Sequence, residues 1–152
     1  MKNITLLCIG SLKISWSAEG CAQFVDRLSR ELEIVELPAS KEKDPTRQME
    51  DESRRLLEAI EKRKGLVWVL DERGKGMTSQ TFSHALVSPS DRGEHILFVL
   101  GGAYGLTDAV RERAAKIMRL SEMTLPHELC RLVFLEQLYR AIQIQKGTGY
   151  HH

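Results

Sequence analysis

Residues 95–106, His-Ile-Leu-Phe-Val-Leu-Gly-Gly-Ala-Tyr-Gly-Leu, decide how the chain folds. HILFVL (95–100) is a continuous apolar run, as is LVWVLD (66–71) upstream. Apolar runs without alternation mark strands covered on both faces, the habit of parallel sheets. Between them the apolar residues recur at helical spacing. Working outward, the pattern predicts further strands at 3–9, 33–38 and 117–121, with helices over 17–32, 45–64, 78–87, 107–116 and 126–146. Asp44-Pro45 is a clear helix opening, since Asp caps free amides and proline suits the first helical position. With no internal repeat or low-complexity segment, residues 1–152 read as one α/β domain, a mostly parallel sheet flanked by helices.

Composition narrows the class. A chain of 152 residues, 42% apolar and 28% charged, has the make-up of a soluble globular domain with a real core. No segment approaches the ~18 apolar residues of a membrane span, and the N-terminus reads as a strand instead of a signal peptide. Cys8, Cys21 and Cys130 are odd in number and form no C-x-x-C pair, as expected of reduced thiols in the cytoplasm. His84, His95 and His127 fall in separate elements, so no metal is expected. The net charge of +1 lacks the basic excess of a protein that grips nucleic acid unaided. Basic surface must be local, around Arg54 and Arg55, residues 62–64, or Arg111, Arg113, Lys116 and Arg119.

The last helix is apolar almost all round. Leu132, Val133, Phe134 and Leu135 are consecutive, and at 100° per residue they cover most of a helix circumference. Such a helix is either sandwiched inside the domain or shared between the sheet and a partner subunit. The small size of the domain favours a dimer.

In open parallel sheets, ligands bind beyond the carboxyl ends of the strands. Three loops leave such ends here: Asp71 to Gly76, Gly101 to Leu106 and Ser121 to Pro126. The first contains Gly-Lys without the other Walker A positions, and alone it reads as a charged turn. The second has the spacing G-G-x-x-G, which is not the dinucleotide fingerprint; a tight strand-to-helix turn and a close ligand approach are equally good accounts of it. In the third, Pro126 pushes Leu125 out of the helical region, leaving peptide groups from Leu120 to Leu125 free to bond a flat heterocycle. His127 falls in the first turn of the last helix, where free amides favour an anion. A nucleophile elbow, G-x-S-x-G, is absent.

Taken as an ordered set, LDERGK (70–75), FVLGGAYGL (98–106), LSEMTLPHELCRL (120–132), EQLYRAI (136–142) and Tyr150-His151 resemble one family along essentially the whole chain. It is the family of ribosomal large-subunit pseudouridine N3-methyltransferases, among the SPOUT-type knotted methyltransferases. The resemblance implies an α/β fold with a C-terminal trefoil knot, and a homodimer formed through the knotted region. It implies S-adenosyl-L-methionine as cofactor, bent within the knot and lined by Leu70, Gly101, Leu120, Ser121, Glu122, Met123, Thr124 and Leu125. The implied reaction is methylation of N3 of a pseudouridine in a hairpin of 23S rRNA, on the assembled ribosome. The chain departs from the pattern in two places: Asp71-Glu72-Arg73 is more charged than many relatives carry, and His152 stands where a Lys or Arg is common.

Deprotonating an imide N3 leaves charge on the uracil oxygens, so donors and cations are wanted there. His127, Arg140, Tyr150 and His151 are the expected catalytic set, with Arg131 on the substrate RNA. Surface or intersubunit ion pairs are an equally good account of both arginines. Two other functions stay open: a knotted enzyme acting on tRNA, and a non-catalytic nucleotide-binding module associated with the ribosome.

Overall fold

The computed structural model describes residues 2–152. Its elements alternate along the chain: β1 (Ile4–Ile9), α1 (Ser15–Arg27), β2 (Leu32–Leu37), α2 (Pro45–Glu61), β3 (Leu66–Gly76), α3 (Ser79–Asp91), β4 (Ile96–Leu100), α4 (Asp108–Arg113), β5 (Lys116–Arg119) and α5 (His127–Lys146). The strands form one sheet in the order β2-β1-β4-β3-β5, every neighbouring pair parallel. The expected α/β architecture is therefore the one that forms. No helix among the described residues is long and apolar enough to cross a membrane.

The sheet is covered on both faces. All five residues of β4 are buried. Ile96, Phe98 and Leu100 join one apolar cluster with Phe82 of α3 and Phe134, Leu135 and Leu138 of α5. Leu97 and Val99 join the other, with Leu56 and Ile60 of α2 and Val110 of α4. Phe98 and Phe134 meet with ring centroids 4.7 Å apart, and Trp68 approaches Phe98 edge-on at 5.5 Å. Each fully buried large side chain of this kind contributes about 1.5–3 kcal/mol. Helix α5 lies against α1 and α3 as well as the sheet. That accounts for much of its all-round apolarity, with Phe134 and Leu135 buried and Leu132 and Val133 half-buried.

Three boundaries differ from the sequence expectation for identifiable reasons. Helix α1 stops at Arg27, because Leu32 is already paired with Ile4 in the β1–β2 ladder. Helix α3 runs on to Asp91 with Pro89 in its last turn; the proline gives up its own amide bond to the preceding turn, but the Arg92 and Gly93 amides still donate to Ser88 O and Ser90 O and close the end. Strand β3 continues through Asp71-Glu72-Arg73-Gly74, expected as a loop. Leu70 pairs with Met118 of β5, the register slips, and Lys75 pairs with Met118 again. The intervening residues bulge outward. Gly74 permits this, since a Cβ there would stand 2.6 Å from the amide nitrogen of Met118.

The N-terminus of α1 is capped from across the fold. Its N-cap residue, Ile14, offers no side-chain acceptor. Glu128, in the first turn of α5, supplies one: its Oε1 accepts from the backbone amides of Lys13 and Ile14 at 3.0 and 3.1 Å and from Ser17 Oγ at 2.7 Å. Three donors on one carboxylate oxygen favour the ionised form, and the Ser17 bond, followed by the two amides, holds Glu128 below the usual carboxylate range. A lowered folded-state value means the stabilisation is present above the unfolded value of ~4.3 and lost as pH falls through the folded one. Glu128→Ala should cost about 1–2 kcal/mol, the range of a lost helix cap. Chemical denaturation at pH 7 and at pH 3 checks this, and the gap between wild type and variant should narrow at the lower pH.

Candidate functional site

Strands β4, β3 and β5 are adjacent in the sheet, so the segments at their carboxyl ends are brought side by side. Together they enclose a cavity of about 680 Å³. One wall is the β3 bulge, a second is the glycine turn Gly101–Gly105, and the third is the segment Leu120–Pro126 leading into α5. Leu100, Leu106, Leu120 and Leu125 give the cavity its apolar lining, and Asp71, Glu72, Arg73, Arg111, Arg119 and His127 add charged and polar side chains.

The glycine turn is tight for a steric reason. A Cβ on Gly101 would lie 2.9 Å from Leu106 Cδ2 and 3.0 Å from the carbonyl oxygen of Gly105, and one on Gly102 would lie 2.5 Å from Glu52 Oε1. The amide of Gly105 closes the turn on Gly102 O at 3.2 Å, and that of Thr107 donates to Ser53 Oγ at 3.1 Å. On the β3 bulge, Asp71 is held by Arg111 at 2.9 Å and accepts the Arg73 amide at 2.8 Å. Asp71 is thereby a structural brace, and its carboxylate is already neutralised. On the third wall, the Met123 amide donates to Ser121 Oγ at 2.9 Å, and Thr124 Oγ1 reaches Glu72 at 3.4 Å, linking the first and third segments.

Of the residues expected to hold a cofactor, Leu70, Gly101, Leu120 and Ser121 border this cavity, as do Met123, Thr124 and Leu125. Glu122 does not; it is exposed and its carboxylate faces Arg119 at 3.4 Å. His127 borders the cavity from the first turn of α5.

The remaining expected residues lie elsewhere. Arg131 is 3% exposed, with its guanidinium committed to Glu36 and to the carbonyl oxygens of Ile9 and Gly10. It ties α5 to the ends of β1 and β2. Arg140, Tyr150 and His151 gather in a separate cluster along α5. Arg140 bonds Glu136 at 2.7 Å and His151 Nδ1 at 3.0 Å, and its guanidinium lies 5.0 Å from the Tyr150 ring centroid. The Tyr150 ring in turn meets Tyr139 edge-on at 4.9 Å.

Arg119 and Cys130 border the cavity without having been singled out for it from the sequence, and Glu72, Arg73 and Tyr104 do so from within the strand-end segments chosen there, though not named as site residues. Signals existed for some. Cys130 follows His127 by three positions on a helix and so shares its face. Burial pushes the Cys130 thiol up to about 11, leaving it protonated at neutral pH and no nucleophile. Among the described residues, no group of three His, Cys, Asp or Glu side chains converges as a metal site would require.

Comparison with known proteins agrees with this geometry. The family model described as "Predicted SPOUT methyltransferase" matches residues 1–151. A protein of Neisseria meningitidis named "Ribosomal RNA large subunit methyltransferase H" is 40% identical over 154 residues, covering 98% of each chain. One of the same name from Syntrophotalea carbinolica is 42% identical over 158 residues, again covering 98% of each. Among solved structures, a probable methylase family protein from Haemophilus influenzae superposes with a TM-score of 0.62 at 13% identity, covering 99% of this chain and 71% of that one. The TrmH/SpoU tRNA modifying enzyme of A. aeolicus gives 0.57 at 11% identity, with coverages of 97% and 78%. These two speak to the fold alone. With a family match along nearly its whole length and relatives at this identity, the chain belongs to the SPOUT methyltransferase family.

Proposed function

We propose that this protein methylates N3 of a pseudouridine in a hairpin of 23S rRNA, using S-adenosyl-L-methionine, as a cytoplasmic homodimer acting on the assembled ribosome. The observation that carries the reading is the convergence of three strand-end segments on one cavity, in a chain 40% identical to proteins named for large-subunit rRNA methylation. The trefoil knot expected from the resemblance belongs to the same reading.

The cavity fits the cofactor by size and by lining. A volume of about 680 Å³ is within the ~300–1,000 Å³ of small-molecule sites. Leucine side chains offer the faces of an adenine ring an apolar slot, and the irregular backbone of Leu120–Leu125 offers its edge amides and carbonyls. When bound, S-adenosylmethionine supplies an electrophilic methyl group on a sulfonium. The residues of the cavity wall would hold it so that this methyl group could be passed to N3 once the imide had lost its proton to solvent. Alignment provides most of the acceleration in such a displacement. His127, at the cavity edge in the first turn of α5, is suited to donate a hydrogen bond to a uracil oxygen as imide charge develops.

Helix geometry separates the tail from this work in one protomer. Arg140 is thirteen residues along α5 from His127, roughly 20 Å at 1.5 Å per residue. Tyr150 and His151 pack at the level of Arg140 and so stand equally far off. We therefore assign the Arg140–Tyr150–His151 cluster to the cavity of the second subunit, where Tyr150 is placed to stack on a base. Arg131, committed inside the fold, is left out of the RNA-facing set.

Purified protein with labelled S-adenosylmethionine should methylate assembled ribosomes and leave free 23S rRNA, separated subunits and tRNA nearly unlabelled. Labelling of tRNA, or of free rRNA as fast as ribosomes, contradicts the proposed substrate. Tyr150→Ala should lower the rate on ribosomes at least tenfold while cofactor affinity stays within twofold. A complementation assay mixing Tyr150→Ala with a His127→Ala subunit should restore part of the rate if the tail acts across the dimer.

A further inference from the structure

One buried carboxylate stands behind the glycine turn. Glu52 of α2 is 2% exposed, and it has no cation beside it in any ion pair among the described residues. Its Oε2 accepts from the Ser40 amide at 3.0 Å, in the connection between β2 and α2. Its Oε1 is buried without a hydrogen-bond partner. That free oxygen points at the glycine turn, where only the missing Cβ of Gly102 leaves it room. A buried acceptor left unpaired is costly, and more so when charged. The same turn has donors to spare: among the described residues, the amides of Ala103 and Tyr104 make no hydrogen bond. Next to Glu52, Ser53 Oγ already accepts the amide of Thr107 at the far end of the turn. Helix α2 thus grips one end of the glycine turn and holds an empty acceptor at the other.

We propose that Glu52 is a positioning residue for the cavity: its free oxygen is the acceptor onto which an amide of the Gly102–Ala103 turn settles when the cavity is filled, fixing the turn against the ligand. The inference rests on the reading of the cavity as the S-adenosylmethionine site. Glu52 lies behind the turn and outside the cavity lining, so it acts through the backbone of the turn. Because Oε2 is anchored on the Ser40 amide, the same carboxylate carries the position of the β2–α2 connection to the turn.

The test is Glu52→Gln, which can keep the Ser40 bond and puts an NH2 donor where the acceptor stood. S-adenosylmethionine affinity should fall about tenfold by calorimetry, the loss of roughly one net hydrogen bond. The unliganded variant should melt no lower than wild type, because an unpaired buried acceptor has been removed. Hydrogen exchange supplies a readout that a merely structural residue would not move: cofactor should slow exchange of the Gly102–Ala103 amides in wild type and leave it unchanged in the variant. Gly102→Ala offers a second route. Its methyl group collides with Oε1 and should weaken cofactor binding, whereas in a Glu52→Ala background the same change should add no further loss. Affinity within twofold of wild type, unaltered amide protection, additive losses, or a lowered melting temperature in step with lost binding would each overturn the inference. A wild-type protein that binds no S-adenosylmethionine brings down the cavity reading and this inference together; one that binds while the variants bind equally brings down the inference alone.

Discussion

Strand β3 meets β5 twice at the same residue, and the site depends on how it does so. Leu70 and Lys75 both pair with Met118, and the chain between them has to leave the sheet and return within a few residues. The return brings the backbone of Gly74 against the amide of Met118 so closely that no side chain fits between them. This one steric allowance has two results. It throws Asp71, Glu72 and Arg73 out of the sheet as a wall of the cavity, and it anchors β5 so that Leu120 emerges facing that wall. Bulges that re-aim side chains beside functional sites are a recurring use of this device.

The walls are then fixed by different means. Asp71 is neutralised by Arg111 and so becomes a brace, while Glu128 caps α1 and fixes the start of α5, where His127 sits. The glycine turn is held at Thr107 and left with unpaired amides at its crown. A site whose walls include a glycine turn and an irregular strand end is well suited to a flat heterocycle, since the peptide groups there are polar and have no side-chain rotamer entropy to lose. Its weakness is that its shape is inherited from neighbours, which is why residues outside the cavity carry so much of its geometry.

Much of this was legible in the chain. Continuous apolar runs at 66–71 and 95–100 predicted strands covered on both faces, and they are. The Asp44-Pro45 opening predicted a capped helix, and Asp44 accepts the Arg47 amide at 3.0 Å. The three strand-end segments that stand out in the sequence are the walls of the cavity. What stayed hidden is what pairing over long range decides. The charges of DERG read as a loop, but ladder bonds are made by backbone and are indifferent to them. Arg131 looked available to RNA because its partner, Glu36, lies on the far side of the chain. Nothing in the spacing sets Glu52 apart from the other charges of α2; its burial depends on the glycine turn lying against it. The packing of Tyr150 on Tyr139 likewise has no signature in spacing.

The function proposed here makes one demand on the cell that no other reading shares. Mass mapping of 23S rRNA from cells lacking this gene, with and without the wild-type gene restored, tests it most directly. The account predicts that the hairpin pseudouridine loses its N3 methyl group on deletion and regains it on restoration. Persistence of that methyl group in the deletion strain would contradict the account.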